Sequence, residues 1–264
     1  MSSFHSQFRL DGKVALVVGG GSGIGRAAAR AMGDLGALVV VGDVDAAKAA
    51  AVAKDIADAS GRAETLTIDV TSEPGVGSAF QTLRARHPRL DVLVTTPAVN
   101  VRKRLLDYTE AEFDKVIALN LKGNFRILQH VGRWMSETVG GSIIVLSSIR
   151  SVVVEPGQGV YAATKAALVQ LVRGFAAELA PKGVRVNALA PGVVETPLTD
   201  PIKQNKQWYE AYAKRNALGR WAREDEMGGP IAFLASDASS YVTGTVLFAD
   251  GGWTAIDGRF EPPL

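Results

Sequence analysis

Short apolar runs alternate along the chain with longer stretches in which apolar residues recur at helical spacing. The apolar runs predict seven strands: Val14–Val18, Leu38–Val41, Glu64–Ile68, Val92–Val94, Ser142–Leu146, Val184–Leu189 and Thr245–Phe248. The longer stretches predict helices, for example Arg26–Leu35, Ala46–Ala59, Glu110–Glu137 and Ala162–Ala180. Several of the runs are continuous Val, Ile and Leu, which is typical of strands covered on both faces.

The regular alternation of strands and helices predicts right-handed crossovers and a parallel sheet. No internal repeat, low-complexity block or linker interrupts this alternation. We therefore predict one α/β domain over residues 1–264, doubly wound around a parallel sheet of about seven strands, with residues 1–9 as an N-terminal tail. In such a domain, a ligand is expected at the carboxyl ends of the strands.

Composition narrows the classes of function. The 264 residues include 29 Lys and Arg against 27 Asp and Glu, a net charge of +2, which does not suggest a nucleic-acid partner. The chain has no cysteine, which excludes disulfides, thiolate zinc sites and cysteine nucleophiles. His5, His87 and His130 have no acidic or histidine partner at ligand spacing, so neither a metal site nor a Ser-His-Asp triad is expected.

The pattern of apolar residues predicts neither a membrane span nor a signal peptide. No uncharged apolar run approaches the roughly 18 residues that span a bilayer, and the first residues lack the apolar core of a signal peptide. The lack of cysteine fits a reducing compartment. We expect a soluble, cytoplasmic protein with no membrane partner.

A glycine-rich segment follows the first predicted strand. It reads Gly19-Gly20-Gly21-Ser22-Gly23-Ile24-Gly25, and a predicted helix starts near Arg26. Glycines let a backbone turn tightly and approach a pyrophosphate, and a helix N-terminus adds unpaired N–H groups and partial positive charge. A glycine turn without a ligand is the alternative. No Gly-Lys-Ser/Thr follows, so a nucleotide triphosphatase is not indicated.

Two acids end the second and third strands. Asp43 comes eighteen residues after Gly25, where a carboxylate can bind an adenosine ribose and repel a 2′-phosphate. No Arg or Lys stands at Gly42, at Val44 or inside the glycine loop, so NAD(H) is favoured over NADP(H). Asp69 can contact an adenine amino group, and a turn or capping role before Thr71 is an equal alternative.

A candidate general acid/base lies on the helix predicted near residue 162. Tyr161 and Lys165 are four residues apart, so both side chains lie on one helix face. A cation beside a phenol favours the phenolate and lowers its pKa toward the working range. Ser148, thirteen residues before Tyr161, ends a strand and faces the expected cleft. Asn120 falls within the predicted helix Glu110–Glu137, where an amide more often bends a helix than takes part in catalysis.

Taken together, these residues resemble the short-chain dehydrogenase/reductase family over about residues 10–253. The family's glycine loop, Tyr-x-x-x-Lys pair, serine and helix asparagine fall on residues 18–25, Tyr161 with Lys165, Ser148 and Asn120. Its adenine-side Asp-Val falls on Asp69-Val70, and its Pro-Gly-x-x-x-Thr segment falls on Pro191-Gly192-Val193-Val194-Glu195-Thr196. Within the family, the segments Val101–Phe125 and Ala217–Trp221 also resemble gluconate 5-dehydrogenase-like sugar-acid enzymes.

The resemblance implies a Rossmann fold, a nicotinamide cofactor and defined roles. Tyr161 exchanges a proton with the substrate oxygen, Ser148 hydrogen-bonds that oxygen, and Lys165 holds the nicotinamide ribose and lowers the Tyr161 pKa. Asn120 positions a water on the proton path, while Val194 and Thr196 hold the carboxamide. The resemblance also implies cofactor contacts at Gly19, Ser22, Gly23, Ile24, Gly25, Asp43, Asp69, Val70, Pro191 and Gly192. A homotetramer is expected on the same basis, built from two long helices and the apolar C-terminal end 251–264.

The chain departs from the family pattern at three places. Val18 replaces a threonine before the glycine loop, and Arg150 stands where a small residue is usual. The family's Asn-Asn-Ala-Gly after the fourth strand reads Thr95-Thr96-Pro97-Ala98. Pro97 removes a backbone donor and Ala98 adds a Cβ beside the cofactor, so different packing of this loop is expected.

The substrate is indicated only by charge. Arg102 and Arg150 would suit a carboxylate, and Glu155 and Gln158 can bind hydroxyls, although solvated loop residues and helix caps are the alternatives. Residues 197–215, which are polar and aromatic, predict a lid over the substrate or a surface helix packed on a partner.

Three functions remain open from the sequence. The leading hypothesis is NAD(H)-dependent interconversion of a secondary alcohol and a ketone, with a sugar acid or polyol as substrate. A 3-oxoacyl-thioester reductase is the second, although such enzymes usually carry a basic residue for NADP(H). A dinucleotide-binding sensor without turnover is the third. Enoyl reduction is disfavoured because that branch spaces its tyrosine and lysine more widely.

Overall fold

The computed structural model describes residues 4–257, which form one α/β domain around a seven-stranded sheet. The strands are β1 Val14–Val18, β2 Leu38–Asp43, β3 Arg62–Thr67, β4 Val92–Thr95, β5 Gly141–Leu146, β6 Val184–Pro191 and β7 Val246–Ala249. All pairings are parallel, in the order β3-β2-β1-β4-β5-β6-β7. The predicted doubly wound sheet is confirmed, and each predicted strand lies within two residues of its observed bounds.

Nine α-helices connect the strands of the described part. They are α1 Gly23–Asp34, α2 Ala46–Asp58, α3 Glu73–Arg86, α4 Glu110–Ile117, α5 Asn124–Ser136, α6 Gly159–Leu179, α7 Asp200–Lys203, α8 Lys206–Ala213 and α9 Gly228–Ala235. Within the predicted N-terminal tail, residues 4–8 form a short 3₁₀-helix, and residues 1–3 lie outside the described part. None of the described helices is long and apolar enough to cross a membrane.

The continuous apolar runs are explained by two cores, one on each face of the sheet. Along β1, Leu16 and Val18 enter the core that α3, α5 and α6 complete. The alternate residues Ala15 and Val17 enter the core that α1, α2 and α9 complete. Because neighbouring side chains of a strand point to opposite faces, a strand buried on both faces needs apolar residues at every position.

The strand order reverses beside β1, and this reversal creates the cleft. The C-terminal residue Val18 pairs with Gly42 of β2 on one side and with Thr95 of β4 on the other. The segments that follow these three strands therefore meet at one edge of the sheet. They are the glycine loop, Asp43 and the loop beginning at Thr96.

The prediction of one continuous helix over Glu110–Glu137 is wrong in its middle. A π-helical turn, Ala118–Gly123, separates α4 from α5. Two contacts account for its position. A Cβ on Gly123 would lie 2.8 Å from Cγ2 of Val70, and the side chain of Asn120 is committed to the loop after β4. A π-helical turn contains one residue more than an α-helical turn, and the helical periodicity of the sequence does not reveal it.

We expect Leu93→Ala to lower the free energy of unfolding by about 2–5 kcal/mol, because the fully buried leucine lies in central strand β4 and its loss leaves a cavity. Urea unfolding followed by circular dichroism measures this. The matched substitution Leu218→Ala removes the same atoms from a side chain that is 64% exposed, and should change stability by no more than about 0.5 kcal/mol. Equal losses would contradict the assignment of the core.

Candidate active site

A cavity of about 440 Å³ opens at the carboxyl ends of the strands. The residues expected at a dinucleotide all line it: Gly19, Ser22, Gly23, Ile24, Gly25, Asp43, Asp69, Val70, Tyr161, Lys165, Pro191, Gly192, Val194 and Thr196. Ser148 lines it too, whereas Asn120 is fully buried outside the lining. The structure thus brings residues from six strand ends into one site.

The glycine loop fits a bound dinucleotide because its backbone leaves no room for side chains. Gly19 has φ +79°, and a Cβ there would lie 2.3 Å from Oγ1 of Thr96. A Cβ on Gly25 would lie 2.0 Å from the carbonyl oxygen of Gly19. Helix α1 begins at Gly23, and the side chain of Ser22 makes no capping bond to its first turn. This arrangement suits recognition of a pyrophosphate by backbone N–H groups.

Asp43 ties the glycine loop to the end of β2. Its Oδ2 accepts a hydrogen bond from the backbone N–H of Gly21 at 2.9 Å, and its Oδ1 accepts one from Asp45 at 3.0 Å. Each carboxylate oxygen keeps a further lone pair that can accept from a ribose hydroxyl. Val44, the next residue, lines the same cavity.

Asp69 fits both of its predicted roles. Its carboxylate accepts from the backbone N–H of Thr71 at 2.9 Å and from the hydroxyl of Thr71 at 2.7 Å, and these bonds lower the pKa of Asp69. It also lines the cavity next to Val70. The turn bonds of Asp69 are therefore present, and its contact with an adenine stays a prediction.

A reciprocal pair of hydrogen bonds fixes the catalytic helix on strand β5. Nζ of Lys165 donates to the carbonyl oxygen of Leu146 at 2.8 Å, and the hydroxyl of Ser147 donates to the carbonyl oxygen of Lys165 at 3.0 Å. Nζ of Lys165 lies 5.5 Å from the ring centroid of Tyr161. Ser148 comes directly after Ser147, so the same contact sets its position relative to Tyr161, and its hydroxyl acts to lower the pKa of Tyr161.

Burial has the largest effect on the pKa values of Tyr161 and Lys165. Desolvation raises the pKa of Tyr161 to about 12, and the hydrogen bond with Ser148 and the charges of Arg150 and Arg102 act in the opposite direction. Desolvation also lowers the pKa of Lys165 to about 7. A half-charged amine stabilises a phenolate less than a full cation does, so Lys165 can lower the Tyr161 pKa only when it is protonated.

Asn120 clamps the loop after β4 through its side chain. Its Oδ1 accepts from the backbone N–H of Val99 at 2.8 Å, and its Nδ2 donates to the carbonyl oxygen of Val99 at 2.9 Å and to Oγ1 of Thr164 at 3.3 Å. Thr164 is a neighbour of Lys165 on α6. The amide is therefore a positioning group for the loop and the helix in this structure, and its expected role toward a water stays a prediction.

The unusual loop Thr95-Thr96-Pro97-Ala98 is held by side chains. The hydroxyl of Thr96 donates to the carbonyl oxygens of Val18 and Gly19 at 3.0 and 3.2 Å. Thr95 donates to Oδ1 of the buried Asn124 at 2.7 Å, and Nδ2 of Asn124 donates to the carbonyl oxygen of Pro97 at 3.2 Å. These bonds place Pro97 and Ala98 in the lining of the cavity despite the donor that proline lacks.

The segment after β6 closes the opposite wall of the cavity. The hydroxyl of Thr199 donates to the carbonyl oxygen of Val194 at 2.6 Å and accepts from the backbone N–H of Thr196 at 3.0 Å. A Cβ on Gly192 would lie 2.8 Å from Cα of Asp250, so only glycine fits between these backbones. Val194 and Thr196 are thereby fixed in the wall of the cavity, and their contact with a carboxamide stays a prediction.

A second, smaller cavity of about 70 Å³ adjoins Ser148 and Tyr161. Three of the four predicted substrate residues, Arg102, Arg150 and Gln158, line it. The fourth, Glu155, binds all three: Arg150 donates to its Oε2 at 2.8 Å, Arg102 donates to its Oε1 at 2.9 Å, and Gln158 also donates to Oε1. The two arginines therefore are not free solvated loop residues.

The carboxylate of Glu155 dictates the orientation of two amides. A carboxylate only accepts, so Gln158 must present its NH₂ to Glu155 and its oxygen to Asn100, which donates through Nδ2 at 3.0 Å. The remaining amide oxygen of Asn100 is buried without a hydrogen-bond partner. The small cavity thus has a fixed pattern of donors and acceptors.

Residues 197–215 lie over the smaller cavity. Leu198, Thr199, Ile202 and Tyr212 line it, and the hydroxyl of Tyr212 donates to Glu155. The indole of Trp208 stacks on the guanidinium of Arg102, at 5.4 Å from Cζ to the ring centroid. This position suits the predicted lid.

Sequence reasoning missed three residues of the site and the contact of a fourth. Ser147, Asn100 and Asn124 were not predicted, and Tyr212 was predicted only as part of the lid 197–215; each binds a predicted site residue or the loop after β4. Asn124 and Tyr212 act across 27 and 57 residues of sequence, a separation that no local pattern encodes. Ser147 could have been found from its place between Leu146 and Ser148.

Comparisons with known proteins agree with the fold and with the family resemblance of the sequence. Residues 19–254 match a family profile described as enoyl-(acyl carrier protein) reductase. The chain is 40% identical over 245 residues to cis-4-hydroxycyclohexanecarboxylate dehydrogenase of Sinomonas cyclohexanicum, covering 92% of this chain and 97% of that protein. It is 36% identical over 244 residues to 3-oxoacyl-(acyl-carrier-protein) reductase of Thermotoga maritima, covering 92% and 98%.

A solved structure extends this similarity to three dimensions. The gluconate 5-dehydrogenase of Burkholderia cenocepacia, determined in complex with NADP and tartrate, superposes with a TM-score of 0.92 at 36% identity. The superposition covers 95% of this chain and 98% of that one. The similarity therefore includes the whole sheet and the segments at its carboxyl edge.

We expect Lys165→Met to stabilise the protein most below pH 7. The pKa of Lys165 falls from 10.5 in the unfolded chain to about 7 in the folded one, so burying its charge costs most below pH 7. Between pH 7 and 10.5 the unfolded chain binds a proton that the folded chain lacks, so wild-type stability rises with pH and the advantage of methionine shrinks.

Thermal unfolding from pH 6 to 10 measures this effect, with a rise of at least roughly 3 °C in Tm expected at pH 6. Lys206→Met, whose side chain is 91% exposed, is the matched control and should show no such pH trend. A Tm difference for Lys165→Met that is constant across this range would contradict the shifted pKa.

Proposed function

The chain belongs to the short-chain dehydrogenase/reductase family of oxidoreductases, and on that premise we propose that it interconverts a secondary alcohol and a ketone by NAD(H)-dependent hydride transfer. The observation that supports this most directly is the convergence of Ser148, Tyr161 and Lys165 on one cavity beside the glycine loop. A nicotinamide dinucleotide bound there gives or takes the hydride, and the protein residues hold the substrate and move the proton.

The proposed roles follow from the geometry. Ser148 donates a hydrogen bond to the substrate oxygen and thereby polarises the carbonyl. Tyr161, with its pKa raised to about 12 by burial, is protonated at neutral pH and gives its proton to that oxygen during reduction. In the oxidative direction Tyr161 must lose its proton, and the positive charges of Arg150 and Arg102 and a protonated Lys165 favour this step.

The preference for NAD(H) is part of the proposal. The carboxylate of Asp43 is fixed at the end of β2 by two backbone N–H groups, in the cavity wall where a 2′-phosphate would bring negative charge. No basic side chain stands at Val44 to offset this repulsion. The related Burkholderia structure holds NADP, so membership of the family does not by itself give the cofactor, and the proposal rests on Asp43 and Val44.

A sugar acid or a polyol is the proposed substrate class. Arg102 and Arg150 line the cavity next to Ser148 and Tyr161, within reach of a substrate that carries a carboxylate or several hydroxyls. The names of the Sinomonas and Burkholderia relatives describe dehydrogenases of hydroxy-carboxylates and sugar acids, which is consistent with this class.

A 3-oxoacyl-thioester reductase is the second candidate, favoured by the name of the Thermotoga relative. The two arginines beside Ser148 and Tyr161 argue against it, because they share the single carboxylate of Glu155 and the ketone end of an acyl thioester has no charge to balance the remaining positive charge. Enoyl reduction, named in the description of the family profile, does not fit the four-residue spacing of Tyr161 and Lys165. The third hypothesis, a dinucleotide-binding sensor without turnover, is disfavoured because Ser148, Tyr161 and Lys165 are all present.

Assembly as a homotetramer in the cytoplasm completes the proposal. Apolar side chains on α4 and α5, Phe113 and Phe125, are 46% and 37% exposed, which suits a face covered by another copy. Of the C-terminal end 251–264 that was expected to contribute, residues 258–264 lie outside the described part.

We expect Tyr161→Phe to lower kcat by about 10³-fold or more, because it removes the only hydroxyl in the proposed proton transfer and leaves the ring in place. NAD⁺ reduction with hydroxy acids and polyols measures turnover, and NADH fluorescence measures cofactor binding. Binding of NADH should change less than about threefold. Tyr241→Phe, a fully exposed tyrosine, is the matched control. Retained turnover in Tyr161→Phe would refute the general-acid role.

We expect Asp43→Ala combined with Val44→Arg to shift the kcat/KM ratio toward NADP(H) by roughly tenfold or more. The change removes a carboxylate that repels the 2′-phosphate and adds a guanidinium that can pair with it. Steady-state kinetics with both cofactors measures the ratio. Asp45→Ala, which removes the neighbouring exposed carboxylate, should leave the ratio unchanged. An unchanged kcat/KM ratio in the double variant would contradict the role proposed for Asp43.

A further inference from the structure

Glu155 is placed between two arginines that face the substrate cavity, and it neutralises only one of them. Its Oε2 lies 2.8 Å from Nη2 of Arg150 and its Oε1 lies 2.9 Å from Nη1 of Arg102. We propose that Glu155 is a specificity-determining residue that sets the charge of the substrate at one negative, so that the site selects monocarboxylates over neutral polyols and dicarboxylates. This inference rests on the proposed function and narrows its substrate class.

The two guanidinium groups are held in place from two sides. Besides its bond to Glu155, Arg150 lies 5.4 Å from the ring centroid of Trp253, measured from Cζ. Arg102 has the same relation to Trp208 of α8. A guanidinium has five N–H donors, so each arginine keeps donors for a ligand after binding Glu155. The side chain of Arg150 is only 6% exposed, which makes its charge costly when unpaired.

Glu155 is committed to its position as an anion. Four side chains donate to its two oxygens: Arg150, Arg102, Gln158 and Tyr212. Burial raises the pKa of Glu155, but the hydrogen bond from Tyr212, the charge of Arg150 and the bonds from Arg102 and Gln158 outweigh burial and lower the pKa overall. Glu155 therefore acts as a fixed internal carboxylate and not as a residue that a substrate displaces.

The charges in the lining of the smaller cavity, taken together with Glu155, sum to a single positive charge. Arg102 and Arg150 are the charged residues in its lining, and Glu155 cancels one of them. The nearby charge of Glu195 is cancelled by Lys203 at 2.6 Å. A monocarboxylate brings the site to neutrality, whereas a neutral polyol leaves one positive charge and a dicarboxylate leaves one negative charge. A net charge of either sign is unfavourable in a partly buried site.

A three-carbon series tests the proposal because the cavity is small. Glycerol, glycerate and tartronate share a central secondary alcohol and carry zero, one and two negative charges at pH 7. Calorimetric titration onto the NADH-saturated protein at constant ionic strength gives their Kd values without turnover. We expect glycerate to bind at least about tenfold more tightly than either of the others.

Two variants should move the preference in opposite directions. Glu155→Gln raises the charge of the site by one and should make tartronate the tightest ligand of the three. Arg102→Gln lowers the charge by one and should bring glycerol to within about threefold of glycerate. Glu137→Gln, an exposed residue on a distant ion pair with Arg84, changes the net charge equally and should leave the wild-type order intact. A melting curve checks that each variant is folded.

The proposal is overturned if wild type binds none of the three, if it binds glycerol or tartronate best, or if Glu155→Gln and Arg102→Gln both keep the wild-type order. The same series is titrated without NADH, where the order should persist because Glu155 and the two indoles hold the arginines. A protein that fails to bind NADH therefore contradicts the proposed function alone, while the order of the three ligands still decides the role of Glu155.

Discussion

The contact between the end of β5 and helix α6 is the constraint on which the rest of the site depends. Lys165 donates to Leu146 of the strand, and Ser147 donates back to the main chain of Lys165. This exchange fixes both the distance and the rotation of the helix relative to the strand. Ser148 and Tyr161 lie on the two partners, so this one contact sets their mutual position, and it is made by Ser147 and by the Lys165 side chain that is itself proposed to act on Tyr161.

The same contact holds two titratable side chains in a place that water does not reach. Lys165 and Tyr161 are both buried, and each is driven toward its neutral form, with pKa values of about 7 and 12. The charges of Arg150 and Arg102, which line the smaller cavity, act against the effect of burial and lower the pKa of Tyr161. The residues that would choose the substrate are therefore coupled to the residue that would exchange its proton, through space and without a direct hydrogen bond.

The fold was predictable from the sequence to within a few residues because burial on both faces imposes continuous apolar runs, as in Val14–Val18. The residues around the cavity were predictable because Gly25, Ser148 and Tyr161 follow strands whose ends must meet. The π-helical turn at Asn120 was not, since helical periodicity tolerates one added residue. Nor was the arrangement around Glu155, because Tyr212 reaches it from 57 residues away and only the packing of α8 brings them together.

The double hydrogen bond between Asn120 and the backbone of Val99 has a consequence for local unfolding. The amide of Asn120 pairs with the peptide of Val99 as a neighbouring strand would, although no strand is there. The amide proton of Val99 can exchange with solvent deuterium only when the π-helical turn or the loop opens. Two segments twenty-one residues apart thus share one opening event, so the loop after β4 and the turn that supports it behave as one unit in local unfolding.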